Sequence, residues 1–226
     1  MTPAILVSTG SLFQWPDTFD AKIHAILDAG ADGVELIPDL RTWQPAPETV
    51  ARLRNRPVTI HGELYPDRGI TLAVWAALVA RLPFRFLNAV FHPDELAPGD
   101  LAALARLPFP ASIENMDPRR DDWRTVDEVQ RFLMPAPHVG WTLDTAHVEE
   151  NGLEVESFRP LFAPRETHLS AAHASYYDFN HALVHLRPAS EFPYVPSGCP
   201  LVTLEGVVPV GGTWLEDEVE YVRGRV

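Results

Sequence analysis

Asp144 and His147 stand three residues apart in Leu143-Asp144-Thr145-Ala146-His147, at the end of an apolar run. The two can reach one centre if the strand breaks into a turn between them. The same kind of ending recurs along the chain. Gly-Val-Glu-Leu carries Glu35, Val-Thr-Ile-His-Gly carries His61, and Ala-Val-Phe-His-Pro carries His92. Ala-Ser-Ile-Glu-Asn, Glu-Thr-His-Leu-Ser and Leu-Val-Thr-Leu-Glu-Gly add Glu114, His168 and Glu205. Imidazoles mixed with carboxylates on converging strands suit a divalent metal ion. Glu114, Asp144, His168 and Glu205 form a set of three carboxylates and one imidazole, whose oxygen-rich character favours Mn²⁺, Co²⁺ or Mg²⁺ over purely structural Zn²⁺. An ion held with open positions polarises a bound hydroxyl or carbonyl.

Such endings need strands to carry them. Short β-branched or aromatic runs predict strands at 4–13, 33–38, 58–64, 86–92, 111–116, 139–145, 167–172 and 201–207. Helical spacing falls between them at 18–29, 47–56, 72–82, 100–107, 126–134, 155–162 and 214–222. Gly30 follows the first helix as a C-cap, and Pro83, Pro108, Pro135 and Pro164 punctuate others. Strand–helix alternation predicts an α/β fold with parallel strands, closed as a single (β/α)₈ TIM barrel over residues 1–226. The seventh unit is the exception. Residues 176–200 hold several prolines and no clean helical period, so a long loop is expected in place of the seventh helix. In a barrel the active site is built at the C-terminal ends of the strands, where the residues above fall.

The net charge of −13 argues against a polyanion partner, although bound cations would reverse the local potential. The segments following His61 and His92 are mostly acidic and make a poor clamp for a phosphate backbone, so nucleic acid is not the expected partner. Cys199 is the one cysteine, which excludes an intrachain disulfide. No signal peptide is read, and the longest apolar stretch, 70–80, is well short of the roughly 20 residues of a membrane span. A cytoplasmic protein with no membrane partner is the expectation.

From Gly33 to Gly206 these motifs together resemble the xylose isomerase-like TIM barrel superfamily, which includes ketose epimerases, sugar isomerases and endonuclease IV. For the epimerase branch, the resemblance implies that Glu114, Asp144, His168 and Glu205 bind one ion. Glu114 and Glu205 would also flank the substrate carbon and exchange its proton, with His147 on a substrate oxygen. The endonuclease IV branch implies a cluster of up to three ions, adding His61, His92 and His147 as ligands. Its Asp-x-His motif corresponds to Asp178-Phe179-Asn180, where Asn180 replaces the imidazole. His181 or His185 would then have to substitute through a shifted loop. The segment from His185 resembles a substrate-contacting loop of isomerases, which implies substrate contacts for His185 and Arg187. Glu35 is expected either to reach substrate or to form a salt bridge to a neighbouring strand, and His173 lies near the site by topology.

The leading expectation is therefore an isomerase or epimerase of a small sugar or polyol, with one to three Mn, Co, Zn or Mg ions per chain. A metal-cluster phosphoesterase and a non-catalytic small-ligand barrel stay open beside it. Members of the superfamily are often dimeric, which leaves a homodimer open too.

Overall fold

The computed structural model describes residues 2–159, 161–172 and 181–226. Its eight strands are β1 (Ala4–Ser8), β2 (Gly33–Leu36), β3 (Val58–Gly62), β4 (Asn88–Phe91), β5 (Ala111–Glu114), β6 (Gly140–Asp144), β7 (Glu166–Leu169) and β8 (Leu201–Leu204). Each pairs in parallel with the next and β8 pairs with β1, closing the barrel. The helices are α1 (Phe19–Asp28), α2 (Pro47–Leu53), α3 (Leu72–Val79), α4 (Asp100–Leu104), α5 (Val126–Leu133), α6 (Thr145–Glu150) and α7 (Trp214–Arg223).

Period-two alternation divides the strand residues between two environments. Ile5, Val34, Ile60, Phe91, Ile113, Leu143, Leu169 and Leu204 belong to one buried apolar cluster with the inner faces of the helices. Their neighbours in sequence, including Glu35, Thr59, Glu114, Thr142 and His168, are equally buried but polar, and they fill the barrel interior. Gly62 has to be small because a Cβ there would fall 2.1 Å from the Phe91 ring.

Local chemistry sets the helix ends. Thr18 and Thr71 cap α1 and α3, and Thr125 with Glu128 forms a reciprocal capping box on α5. Gly30 follows α1 with φ +92°, as its C-cap role requires.

One expected helix is displaced. Residues 155–158 form a single 3₁₀ turn, and the sixth helix instead begins directly off β6 as α6. The Asp144 side chain causes this by accepting from the His147 backbone N–H at 2.7 Å, which starts the helix inside the Asp-Thr-Ala-His motif. Between β7 and β8 the described residues carry 3₁₀ turns at Val184–Leu186 and Ala189–Glu191 and no α-helix, as the prolines of that stretch predict. No helix among the described residues is long and apolar enough to cross a membrane.

Candidate metal centre

Glu114 ends β5 at the middle of the polar cluster. Its Oε2 lies 3.3 Å from His61 Nε2 and 3.4 Å from His92 Nε2. Its Oε1 lies 3.4 Å from His147 Nδ1 and 3.5 Å from His168 Nδ1. One carboxylate thus faces imidazoles from β3, α6, β7 and the end of β4. His168 Nδ1 is also 3.2 Å from Glu205 Oε2, just beyond β8.

The ligand-type atoms fall into adjoining groups, each compact enough for one ion. Glu114, Asp144, His168 and Glu205 form one group, and His61, His92 and Glu114 form a second. Asp144, His147 and His181 form a third. Glu114 belongs to the first two and Asp144 to the first and third.

Backbone and neighbouring groups hold these ligands in place. Asn115 clamps Asp144 from both sides, its Oδ1 accepting from the Asp144 N–H at 2.8 Å and its Nδ2 donating to the Asp144 carbonyl at 3.0 Å. His147 Nδ1 pairs with the Asn115 carbonyl at 2.9 Å, which leaves Nε2, 3.9 Å from Asp117 Oδ2, as the nitrogen that could ligate. His181 Nδ1 pairs with Ser170 Oγ at 2.7 Å, to the same effect. Glu95 supports His92, with its Oε1 3.6 Å from Nδ1 while its Oε2 accepts from the Leu64 N–H.

The donor set fits a divalent cation. Asp144 Oδ2, His61 Nδ1 and both ring nitrogens of His168 are buried without a hydrogen-bond partner, although buried polar atoms are ordinarily satisfied. Asp144 Oδ2 and His168 Nδ1 sit within the group that Glu114 and Glu205 complete, so an ion there would satisfy them.

Electrostatics separates the two glutamates. Burial alone would raise Glu114, but His168, His61 and His92 outweigh it and hold the carboxyl well below the ordinary range. Burial dominates at Glu205 and pushes it up to about 7. Burial would lower His92, yet Glu114 and Glu95 lift it to about 10. His168 is likewise raised well above its ordinary value, because Glu205, Glu35 and Glu114 overcome its desolvation.

Beneath this layer lies another, which the motif reading did not single out. Glu166 on β7 has no solvent exposure, and its carboxylate accepts from Thr59 Oγ1 at 3.1 Å, Asn88 Nδ2 at 2.9 Å and Thr203 Oγ1. Ser112 Oγ extends the layer to Asn88 at 2.7 Å and Thr142 at 2.6 Å. Burial, then the nearby charge of Glu35, raises the Glu166 pKa. A sequence signal existed. Five of its six residues stand two before a ligand-type residue, as Thr59 before His61, Ser112 before Glu114, Thr142 before Asp144, Glu166 before His168 and Thr203 before Glu205; Asn88 is the exception.

Among the expected substrate contacts, Glu35 takes its salt-bridge alternative, and His185 and Arg187 pair with other side chains. Glu35 is fully buried behind His168, with its Oε2 3.1 Å from Nε2. His185 turns to α7, where Nδ1 pairs with Glu218 Oε2 at 2.6 Å. Arg187 Nη1 donates to Glu149 at 2.7 Å. Asp178 and His173 lie outside the described residues.

No protein-family model matches the sequence, and no curated protein matches it. Solved structures do share its architecture. Endonuclease IV from Thermus thermophilus aligns with TM-score 0.58 and 16% identity, over 98% of either chain. L-ribulose 3-epimerase aligns with TM-score 0.60 and 14% identity, over 99% of this chain and 94% of that one. The probable 3-DHS dehydratase AsbF from Bacillus anthracis aligns with TM-score 0.63 and 12% identity, over 99% of this chain and 100% of the other. Likeness at such identities shows the fold, a closed eight-stranded TIM barrel.

Proposed function

We propose that the protein is a divalent-metal-dependent isomerase or epimerase of a small sugar or polyol, with Glu114 and Glu205 as its proton-transfer pair. The observation that carries this reading is the placement of both glutamates against His168 Nδ1, in one ligand group with Asp144, while their environments push them in opposite directions. In the ion-free site one carboxylate is kept ionised and the other holds its proton near neutrality, an asymmetry suited to a base and an acid side by side. Glu114 would take the proton from the carbon beside a carbonyl, leaving an enediolate, and Glu205 would return a proton to that intermediate. Return to the same carbon on its other face epimerises it, and return to the adjacent carbon isomerises the substrate. The ion would be held by Glu114, Asp144, His168 and Glu205. When bound it polarises the substrate oxygens and lowers the cost of the developing negative charge. His147, beside Glu114, would meet a substrate hydroxyl.

The resemblance to sugar epimerases supports this reading, and L-ribulose 3-epimerase is among the structures that share the fold. The test is proton exchange in deuterium oxide with a panel of ketoses and the Mn²⁺-, Co²⁺-, Zn²⁺- or Mg²⁺-loaded protein. Deuterium should enter the substrate at the reacting carbon. Glu114→Gln and Glu205→Gln should each abolish the exchange while the protein stays folded. Absence of exchange across the panel, or full exchange in Glu114→Gln, overturns the assignment.

A second reading rests on a separate observation, the row of three ligand groups joined through Glu114 and Asp144. Clustered ions activate water and stabilise both oxygens of a phosphodiester displacement. Two or three ions per chain, with cleavage of abasic DNA or a smaller phosphodiester, would favour that reading.

A further inference from the structure

The opposite end of the barrel carries a cavity of its own, about 560 Å³ in volume. It opens between the loop from α2 to β3 and the loop from α3 to β4, at the N-terminal ends of those strands. Its charged lining residues are Arg54, Arg56 and Arg85, with no acid among them. In a chain with 31 acidic residues and 18 basic ones, a concave surface of purely positive charge runs against the composition.

The three guanidiniums are not equally occupied. Arg56 Nη1 is tied to the Ala31 and Asp32 carbonyls at 3.1 and 3.4 Å. Arg54 and Arg85 are exposed and, among the described residues, their side chains make no hydrogen bond or ion pair. Neighbouring acids are already engaged. Asp28 pairs with Arg52, while Asp32 accepts from the Ile5 N–H and pairs with Arg223. Phe84 and Leu87 supply an apolar wall.

We propose that this cavity binds a phosphate-bearing small molecule, with its phosphate oxygens on Arg54 and Arg85 and its apolar part against Phe84 and Leu87. Guanidinium forks match phosphate oxygens and can bind them in pairs. Like charges crowded around one cavity repel each other, and a polyanion converts that repulsion into attraction. The volume lies within the roughly 300–1,000 Å³ typical of small-molecule sites. The site is independent of the metal centre, which lies at the other ends of the same strands.

The probe is inorganic pyrophosphate, titrated calorimetrically at low ionic strength into three proteins. These are the wild type, the double variant Arg54→Gln/Arg85→Gln, and the double variant Arg106→Gln/Arg131→Gln, which removes equal charge from elsewhere on the surface. Wild type and the second variant should bind alike, and the first should bind at least about tenfold more weakly. None of the four side chains makes a contact the fold needs, so all three proteins should melt together. No binding by the wild type overturns the proposal. Equal binding by all three also overturns it, because the pyrophosphate would then sit elsewhere, for instance at the metal centre. Equal weakening in both double variants would show a response to net charge alone and overturn it as well.

Discussion

Glu35 and His168 meet inside the barrel with no solvent on either, Oε2 to Nε2 at 3.1 Å. The other imidazole nitrogen, Nδ1, faces Glu114 and Glu205. An ion bound at Nδ1 would leave the His168 proton on Nε2, facing the Glu35 carboxylate. A carboxylate behind a ligating histidine is a common orienting device, and its loss typically weakens metal binding about 10–100-fold. Glu35→Gln should lower metal affinity by that order while the barrel persists, as read by chelator competition and circular dichroism. Unchanged affinity would make Glu35 merely a buried partner.

Metal binding should release protons. Glu114 and its companions raise His92 to about 10 and His168 well above its ordinary value, which favours the protonated form of both rings in the metal-free protein at neutral pH. An ion must displace a proton from each ring it ligates. Apparent affinity should therefore rise with pH from neutrality toward 10. Calorimetry in buffers of different ionisation enthalpy should show net proton release near pH 7. The same linkage acts on the metal-free fold. For His92, with a folded pKa above its unfolded value of 6.5, the stabilisation is complete below 6.5 and is lost as pH rises toward 10. For Glu205 the corresponding loss runs from 4.5 to about 7. Metal-free protein should accordingly lose melting temperature as pH rises through these windows. A flat profile would contradict the picture of carboxylates holding protonated imidazoles.

The upper layer of the site was legible because the sequence concentrates ligand-type residues where apolar runs end. His61, Glu114, Asp144 and His168 arrive together for that reason. The lower layer was hidden by its chemistry, since threonine and serine are ordinary strand residues and do not advertise a site. Glu166 was missed because a strand begun at Thr167 leaves it in the preceding loop, whereas β7 starts one residue earlier. The pairing of His185 with Glu218 joins positions 33 apart through the packing of α7, and no local pattern encodes that. Glu95 looked like part of an acidic surface loop and proves to be a support for His92.

The lower layer makes a prediction about stability. Replacing Glu166 with leucine would leave Thr59, Asn88 and Thr203 without their shared acceptor in a buried setting. Unmade buried hydrogen bonds cost about 1–3 kcal/mol each, so Glu166→Leu should destabilise by at least about 3 kcal/mol. Glu166→Gln keeps an acceptor oxygen and should cost much less. Urea denaturation of the two variants decides the point, and equal stability would mean that the layer is slack.

His61 and His92 decide how many ions the centre holds. Their rings stand 4.7 Å apart and share Glu114 Oε2, so both can serve one ion only if that ion is separate from the group around Glu205. Replacing both with alanine leaves Glu114, Asp144, His168 and Glu205 in place. If the pair binds its own ion, mass spectrometry of the native protein should show one fewer ion per chain in His61→Ala/His92→Ala. Proton exchange at Glu114 and Glu205 should survive in part, while any phosphodiesterase activity should vanish. If stoichiometry is unchanged, the two rings instead orient Glu114 or contact substrate. Loss of a single-ion centre on the double substitution would show that they position Glu114 strongly enough to govern the whole site.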